Sequence, residues 1–116
     1  MSHPSEDRDD VKAVLAQIAA SSPKFRLGKI MGHTGVYVGR KMAAFAFEDG
    51  MGLKIDKNNL EHILPTYPDA RPFMPMGHKM NGWIVLTIDN AEDYQSHELL
   101  NEALRLAEIA STQTNK

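Results

Sequence analysis

Six glycines, Gly28, Gly32, Gly35, Gly39, Gly50 and Gly52, interrupt the stretch from Arg26 to Ile55. Between them stand four short apolar runs. Runs of this length, broken by glycine-bearing turns, predict an antiparallel meander. The first strand is expected over roughly Arg26–Met31, followed by a turn at Gly32-His33-Thr34-Gly35 and a second strand at Val36-Tyr37-Val38. Gly39-Arg40-Lys41 turns the chain into a third strand, Met42–Phe47. Asp49-Gly50 is a hairpin pair of the type that tolerates positive φ, and Met51–Ile55 is the fourth strand. In the third strand Phe45 and Phe47 share one parity and Ala44 and Ala46 the other. A face of small residues predicts that a helix packs closely on it.

The flanking segments complete a layered pattern. Asp9 or Asp10 is placed to cap a helix whose Val11, Val14, Leu15 and Ile18 line one face. Ser21-Ser22-Pro23 ends it. Residues 1–8 and 112–116 read as flexible tails around a single domain, 9–111. Asp56 is placed to cap a short helix through Leu64 that Pro65 stops. Residues 65–82 hold Pro65, Pro68, Pro72 and Pro75 and read as a long ordered loop, with room for one short strand, pinned by Tyr67 and Phe73. Trp83–Ile88 is apolar at nearly every position, which predicts a central strand covered on both faces, with Trp83 in the core. Leu99, Leu100, Ala103, Leu104, Leu106, Ala107 and Ala110 form a wide stripe on a last helix, from about Ser96 to Ser111. The order is α+β: two layers, a mostly antiparallel sheet of five to six strands, and helices packed on one face.

Composition removes several classes of function. A chain of 116 residues is expected to form one domain with a real core. Hydrophobic residues at 42% and charged residues at 24% match ordinary globular proteins, against a disordered or fibrous chain. With no cysteine, a disulfide framework, a thiolate metal site and a cysteine nucleophile are impossible. The first ten residues are polar and acidic, the reverse of a signal peptide. The apolar runs Met42–Phe47 and Trp83–Ile88 are too short to span a bilayer. A cytoplasmic protein with no membrane partner is expected.

The residues that carry chemistry form no recognisable constellation. The glycines spell neither a phosphate loop nor a dinucleotide fingerprint and are expected to serve turns and close packing. His3, His33, His62, His78 and His97 have no ligand spacing. A metal would need the fold to bring His33, His78 and a carboxylate together, so no metal or cofactor is expected. Serines sit beside Pro23 or at a helix start, where serine caps and turns, and no nucleophile elbow occurs. The chain is expected not to be an enzyme, and no small-molecule substrate is evident. Charge is uneven: Lys24, Arg26, Lys29, Arg40, Lys41, Lys54 and Lys57 outnumber Glu48, Asp49 and Asp56, between two acidic ends. If Lys24, Arg26, Lys29, Arg40 and Lys41 share a face, they make a candidate nucleic-acid contact with a hairpin that enters a groove. The competing reading is that lysines keep a strand edge soluble. Met74, Met76 and Met80 in the loop, and Met31, Met42 and Met51 in the meander, suit an adaptable binding surface or gap filling.

The run from Ile30 to Ala43 (Ile30-Met31-Gly32-His33-Thr34-Gly35-Val36-Tyr37-Val38-Gly39-Arg40-Lys41-Met42-Ala43), with Leu53-Lys54-Ile55, Pro72-Phe73, Gly77, Met80, Trp83 and a final alanine-rich helix, resembles the TfoX N-terminal domain family and, more distantly, the YjbR group. The resemblance covers about residues 11–110. Met31 stands where phenylalanine is usual and His33 where the second glycine of a Met-Phe-Gly-Gly box is usual. The resemblance implies a two-layer fold like that of secretion chaperones. It also implies a small regulatory or interaction domain without catalysis, whose partner is another protein or a second copy of itself in a homodimer. DNA binding, suggested for the YjbR group, is the alternative. A competence role is not expected, since the family's namesake joins this domain to a C-terminal helical one.

Overall fold

The computed structural model describes residues 7–113. The meander is present as four consecutive strands, β1 (Phe25–Ile30), β2 (His33–Val38), β3 (Lys41–Phe47) and β4 (Gly50–Lys54). With β5 (Ala70–Pro72) and β6 (Trp83–Leu86) they form a six-stranded sheet of order β1-β2-β3-β4-β6-β5, antiparallel at every junction. Three helices, α1 (Asp9–Ala20), α2 (Leu60–Thr66) and α3 (Glu98–Gln113), accompany it, giving an α+β fold with helices packed on the sheet. Among the described residues no helix is long and apolar enough to cross a membrane.

The two parities of β3 face different surroundings. Ala44 and Ala46 are fully buried in the main core with Val11 and Leu15 of α1, Ile63 of α2, and Leu100 and Ala103 of α3. Methyl side chains let the helices sit close to the strand, as their small size predicts. Met51 and Leu53 of β4 and Ile84 and Leu86 of β6 extend the same surface and are fully buried. Burying each side chain of this size contributes roughly 1.5–3 kcal/mol. Phe45 and Phe47 point to the opposite side.

Several boundaries differ from those read off the sequence, each for a local reason. The first hairpin turns on two residues, Met31 and Gly32, both at positive φ (49° and 87°), as a type I′ turn requires. His33, Thr34 and Gly35, expected in that turn, belong to β2. The β3–β4 turn is Glu48-Asp49, with Glu48 at φ 52°, and Gly50 is instead a strand residue opposite Phe47. It is there for space: a Cβ on Gly50 would lie 2.7 Å from the Leu86 carbonyl oxygen. Asp56 caps a 3-10 turn, Lys57–Asn59, by accepting from the Asn58 N–H at 3.0 Å. The helix that follows, α2, does not stop at Pro65 but includes it. Bonds at its end, from Tyr67 N–H to Ile63 O (2.9 Å) and Thr66 Oγ1 to His62 O (2.7 Å), hold that last turn without a proline donor.

The N-terminal entry also differs. Arg8 occupies the cap position of α1, while Asp9 and Asp10 sit inside its first turn, where the helix dipole favours acids. The Arg8 guanidinium donates to Asp10 and to the carbonyls of Asp49 (3.0 Å), Ile88 (2.8 Å) and Asp89 (3.0 Å). Asp7 accepts from the Glu48 N–H at 2.7 Å. Residues 7 and 8 are thus tied to two turns and do not belong to a loose tail, and α3 continues past Ser111. The rest of the expected tails, 1–6 and 114–116, lies outside the described residues.

β6 ends at Leu86, before its apolar run ends. Tyr94, fully buried, replaces the ladder there: its hydroxyl donates to Leu86 O at 2.6 Å and accepts from the Ile88 N–H at 2.9 Å. Burial pushes its pKa up. Tyr94→Phe leaves that carbonyl and N–H without partners, and urea denaturation is expected to show a loss of about 2 kcal/mol; an unchanged midpoint would contradict this role. Arg8 holds the Asp10 carboxyl below its ordinary range, and Arg71 does the same for Asp49, in each case chiefly by a hydrogen bond. A depressed carboxylate stabilises the fold above its unfolded pKa and stops doing so as pH falls through its folded one. Asp10→Asn with Asp49→Asn should therefore flatten the acid limb of the stability–pH curve and leave the alkaline limb alone.

Candidate binding groove

The sheet face turned away from the helices is built from cross-strand rows. Gly28, Gly35, Phe45, Gly52, Val85 and Arg71 form the middle row, each opposite the next. Arg26, Tyr37 and Met42 align beside it on one side, Ile30 and His33 on the other. The glycines are seats for large neighbours. A Cβ on Gly52 would run into the Phe45 ring, one on Gly35 would lie 2.7 Å from Met42 Sδ, and one on Gly28 2.8 Å from the Tyr37 ring. Large side chains therefore lie along the sheet where ordinary neighbours would hold them upright.

Phe45 is the hub of this face. Its ring centroid is 5.3 Å from Phe73, 5.4 Å from Trp83 and 6.2 Å from Phe47. Phe47 meets Phe73 edge-on at 5.1 Å. These are the separations favoured by offset and edge-to-face pairs. Trp83, expected in the core, stands half-buried in this cluster instead, because β6 directs Ile84 and Leu86 to the helices and Trp83 and Val85 away from them. The proline-rich segment folds back over the cluster. It is closed by Met80 N–H to Phe73 O (3.0 Å) and Trp83 N–H to Met80 O (3.2 Å). Phe73 thus pins one end of it; Tyr67 pins the other, with its hydroxyl on Glu98 and its ring 5.6 Å from His97.

Between this segment and the β1–β2 hairpin lies a cavity of about 290 Å³, walled by Ile30, Met31, Phe47, Met80 and Trp83. Its size is close to the lower end for small-ligand pockets. The sequence made no small-molecule site evident; this cavity is a feature it missed. His33 is the ionisable group in the lining, and its Nδ1 lies 2.8 Å from Asp7 Oδ2, which orients the ring. At the rim, Lys54 holds its Nζ 5.7 Å from the Trp83 ring, and Arg26 stacks at 4.5 Å over Tyr37. Neither cation has a carboxylate partner among the described residues. Arg71, by contrast, is held by Thr87 Oγ1 and Asp49, each at 2.8 Å. Met31 is 89% exposed at the mouth, with Met80 and Met74 also exposed.

The five basic candidates do not gather on one side. Lys24 pairs with Glu108 of α3 at 3.1 Å. Arg26 lies on the groove face, and Lys29, three residues on in the same strand, falls on the other by alternation. Arg40 is exposed in the β2–β3 turn, and Lys41 is opposite Val38 at its base. Among the described residues no group of three or more histidines and acids is placed to hold a metal. Comparison with family models, with curated proteins and with solved structures found no match to this chain.

Gly52→Ala places a methyl where the Phe45 ring lies. The expected cost is about 1–3 kcal/mol, the usual penalty for overpacking. A shift in the emission of Trp83, the single tryptophan, should accompany it. Unchanged emission and stability would show that the ring has room to move.

Proposed function

We propose that this chain is a non-catalytic interaction domain of the TfoX N-terminal type that works through the aromatic groove. Its partner is a protein segment that inserts an apolar anchor side chain and carries acidic residues beside it. Met31 is the observation that carries this reading. A hairpin turn with two positive φ angles favours asparagine or aspartate before glycine. A methionine there gives up about 1 kcal/mol of backbone preference, and at 89% exposure it recovers little of that by burial. A local rule broken without a structural return points to a functional site. Flexible thioethers around aromatic walls adapt to varied apolar shapes, and the unpaired Lys54 and Arg26 at the rim favour acids. The nucleic-acid reading has weaker support, since its basic residues divide between two faces of a chain with net charge −2.

Selection from a random peptide library, followed by titration read through Trp83 emission, tests the proposal. Enriched peptides should share an aromatic or aliphatic anchor with acidic neighbours. They should bind Met31→Asn/Met80→Ser about tenfold more weakly. Met31→Asn alone should raise stability by about 1 kcal/mol. Peptides that leave Trp83 emission unmoved, or that bind the double variant equally well, would overturn it.

A further inference from the structure

The two edges of the sheet are not alike. β5 is three residues long and ends in Pro72, both devices that blunt an edge. β1 runs for six residues without proline, and its Leu27 is 45% exposed. The backbone groups on its outer side follow from the hairpin. A two-residue turn makes its flanking pair, Ile30 and His33, the hydrogen-bonded kind, and alternation extends this to Gly28–Gly35 and Arg26–Tyr37. Phe25, Leu27 and Lys29 therefore aim their N–H and C=O groups outward.

Two of these six groups are already used. The Phe25 N–H donates to Ser22 O at 3.1 Å. The Lys29 carbonyl accepts from the Tyr37 hydroxyl at 3.2 Å, reaching across Gly28. Four remain: the Leu27 N–H, the Leu27 C=O, the Lys29 N–H and the Phe25 C=O. This set is self-complementary about Leu27. In an antiparallel pair of two β1 strands centred there, Leu27 exchanges both bonds with its counterpart, and each Lys29 N–H meets the other strand's Phe25 C=O. All four open groups are then satisfied. The one bond per side that the ladder omits, Phe25 N–H to Lys29 C=O, joins groups that each chain has already satisfied internally.

The geometry points to a second copy of this chain as the occupant of the β1 edge, in a two-fold dimer centred on Leu27. Charge selects the same register. Centring on Leu27 sets Lys29 opposite Phe25 and Arg26 opposite Gly28. Centring on Arg26 or on Lys29 would set like charges directly opposite, which destabilises a strand pair. A two-fold axis normal to the sheet preserves its faces. The helices of both copies then lie on one side of a continuous sheet, and both aromatic grooves open on the other. The proposal is independent of what those grooves bind.

The chain lacks cysteine, so single-cysteine variants report the register directly. Opposed hydrogen-bonded residues are about 5.5 Å apart at Cα, inside the disulfide range. The two copies of Lys29 are offset by four residues, about 13 Å along the strand. Mild oxidation should link Leu27→Cys into a dimer and leave Lys29→Cys unlinked. Light scattering should give twice the chain mass for the native protein and the single-chain mass for Leu27→Pro. That variant removes only an outward N–H, so its circular dichroism should remain native. A single-chain mass for the native protein at high concentration, equal cross-linking of both cysteine variants, or a dimer that survives Leu27→Pro would each overturn the proposal.

Discussion

Everything in this molecule depends on β3 presenting methyl groups to one side and phenyl rings to the other. Ala44 and Ala46 allow helices to approach the strand closely, and the resulting core is closed and free of buried unpaired side-chain atoms among the described residues. Phe45 and Phe47 cannot be accommodated on that side without pushing the helices off. They are placed on a face that no helix covers, where the chain must shield them with what it has: one another, Phe73, Trp83 and a folded-back loop. The groove is the space left where this shielding is incomplete.

Much of this was legible in the sequence, and the errors are informative. The alternation in Met42–Phe47 gave both the helix-facing side and the ring-bearing side. The glycines misled in one specific way. Punctuation was assigned to Gly35 and Gly50, yet both lie within strands, where a Cβ would strike Met42 or the Leu86 carbonyl. Turn duty fell to Met31 and Glu48, residues with no local signature for positive φ. Glycine has two uses, conformational freedom and small size, and a linear sequence does not separate them. Only the identity of the cross-strand neighbour does, and register is not written locally.

The site was less legible than the fold because its walls come from three separated stretches, 30–33, 42–47 and 73–83. No spacing rule links them. The basic cluster failed for the opposite reason, since its division was readable. Arg26 and Lys29 differ by an odd number of positions in a predicted strand, which alone puts them on opposite faces. Counting charge along the chain instead of by parity concealed that. Arg8 and Tyr94 were missed because each acts through backbone carbonyls far away in sequence. Such an acceptor is present at every residue and marks none.

An exposed apolar sheet face and an unpaired strand edge are both hazards for a soluble protein, yet the chain handles them differently. It covers the far part of the face with the proline-rich segment and shortens the far edge to three residues. The near edge and the near end of the face, where Leu27, Ile30 and Met31 are exposed, receive neither treatment. Protection that stops midway across one sheet is hard to attribute to general solubility, which would act on both ends alike. It separates a closed half, β4 to β5 with its loop, from an open half, the β1–β2 hairpin. Because Ile30 and Met31 end β1 and also wall the cavity, anything that pairs with that strand stands next to the groove's mouth. Occupancy of the edge and occupancy of the groove are therefore expected to influence one another through a single two-residue turn.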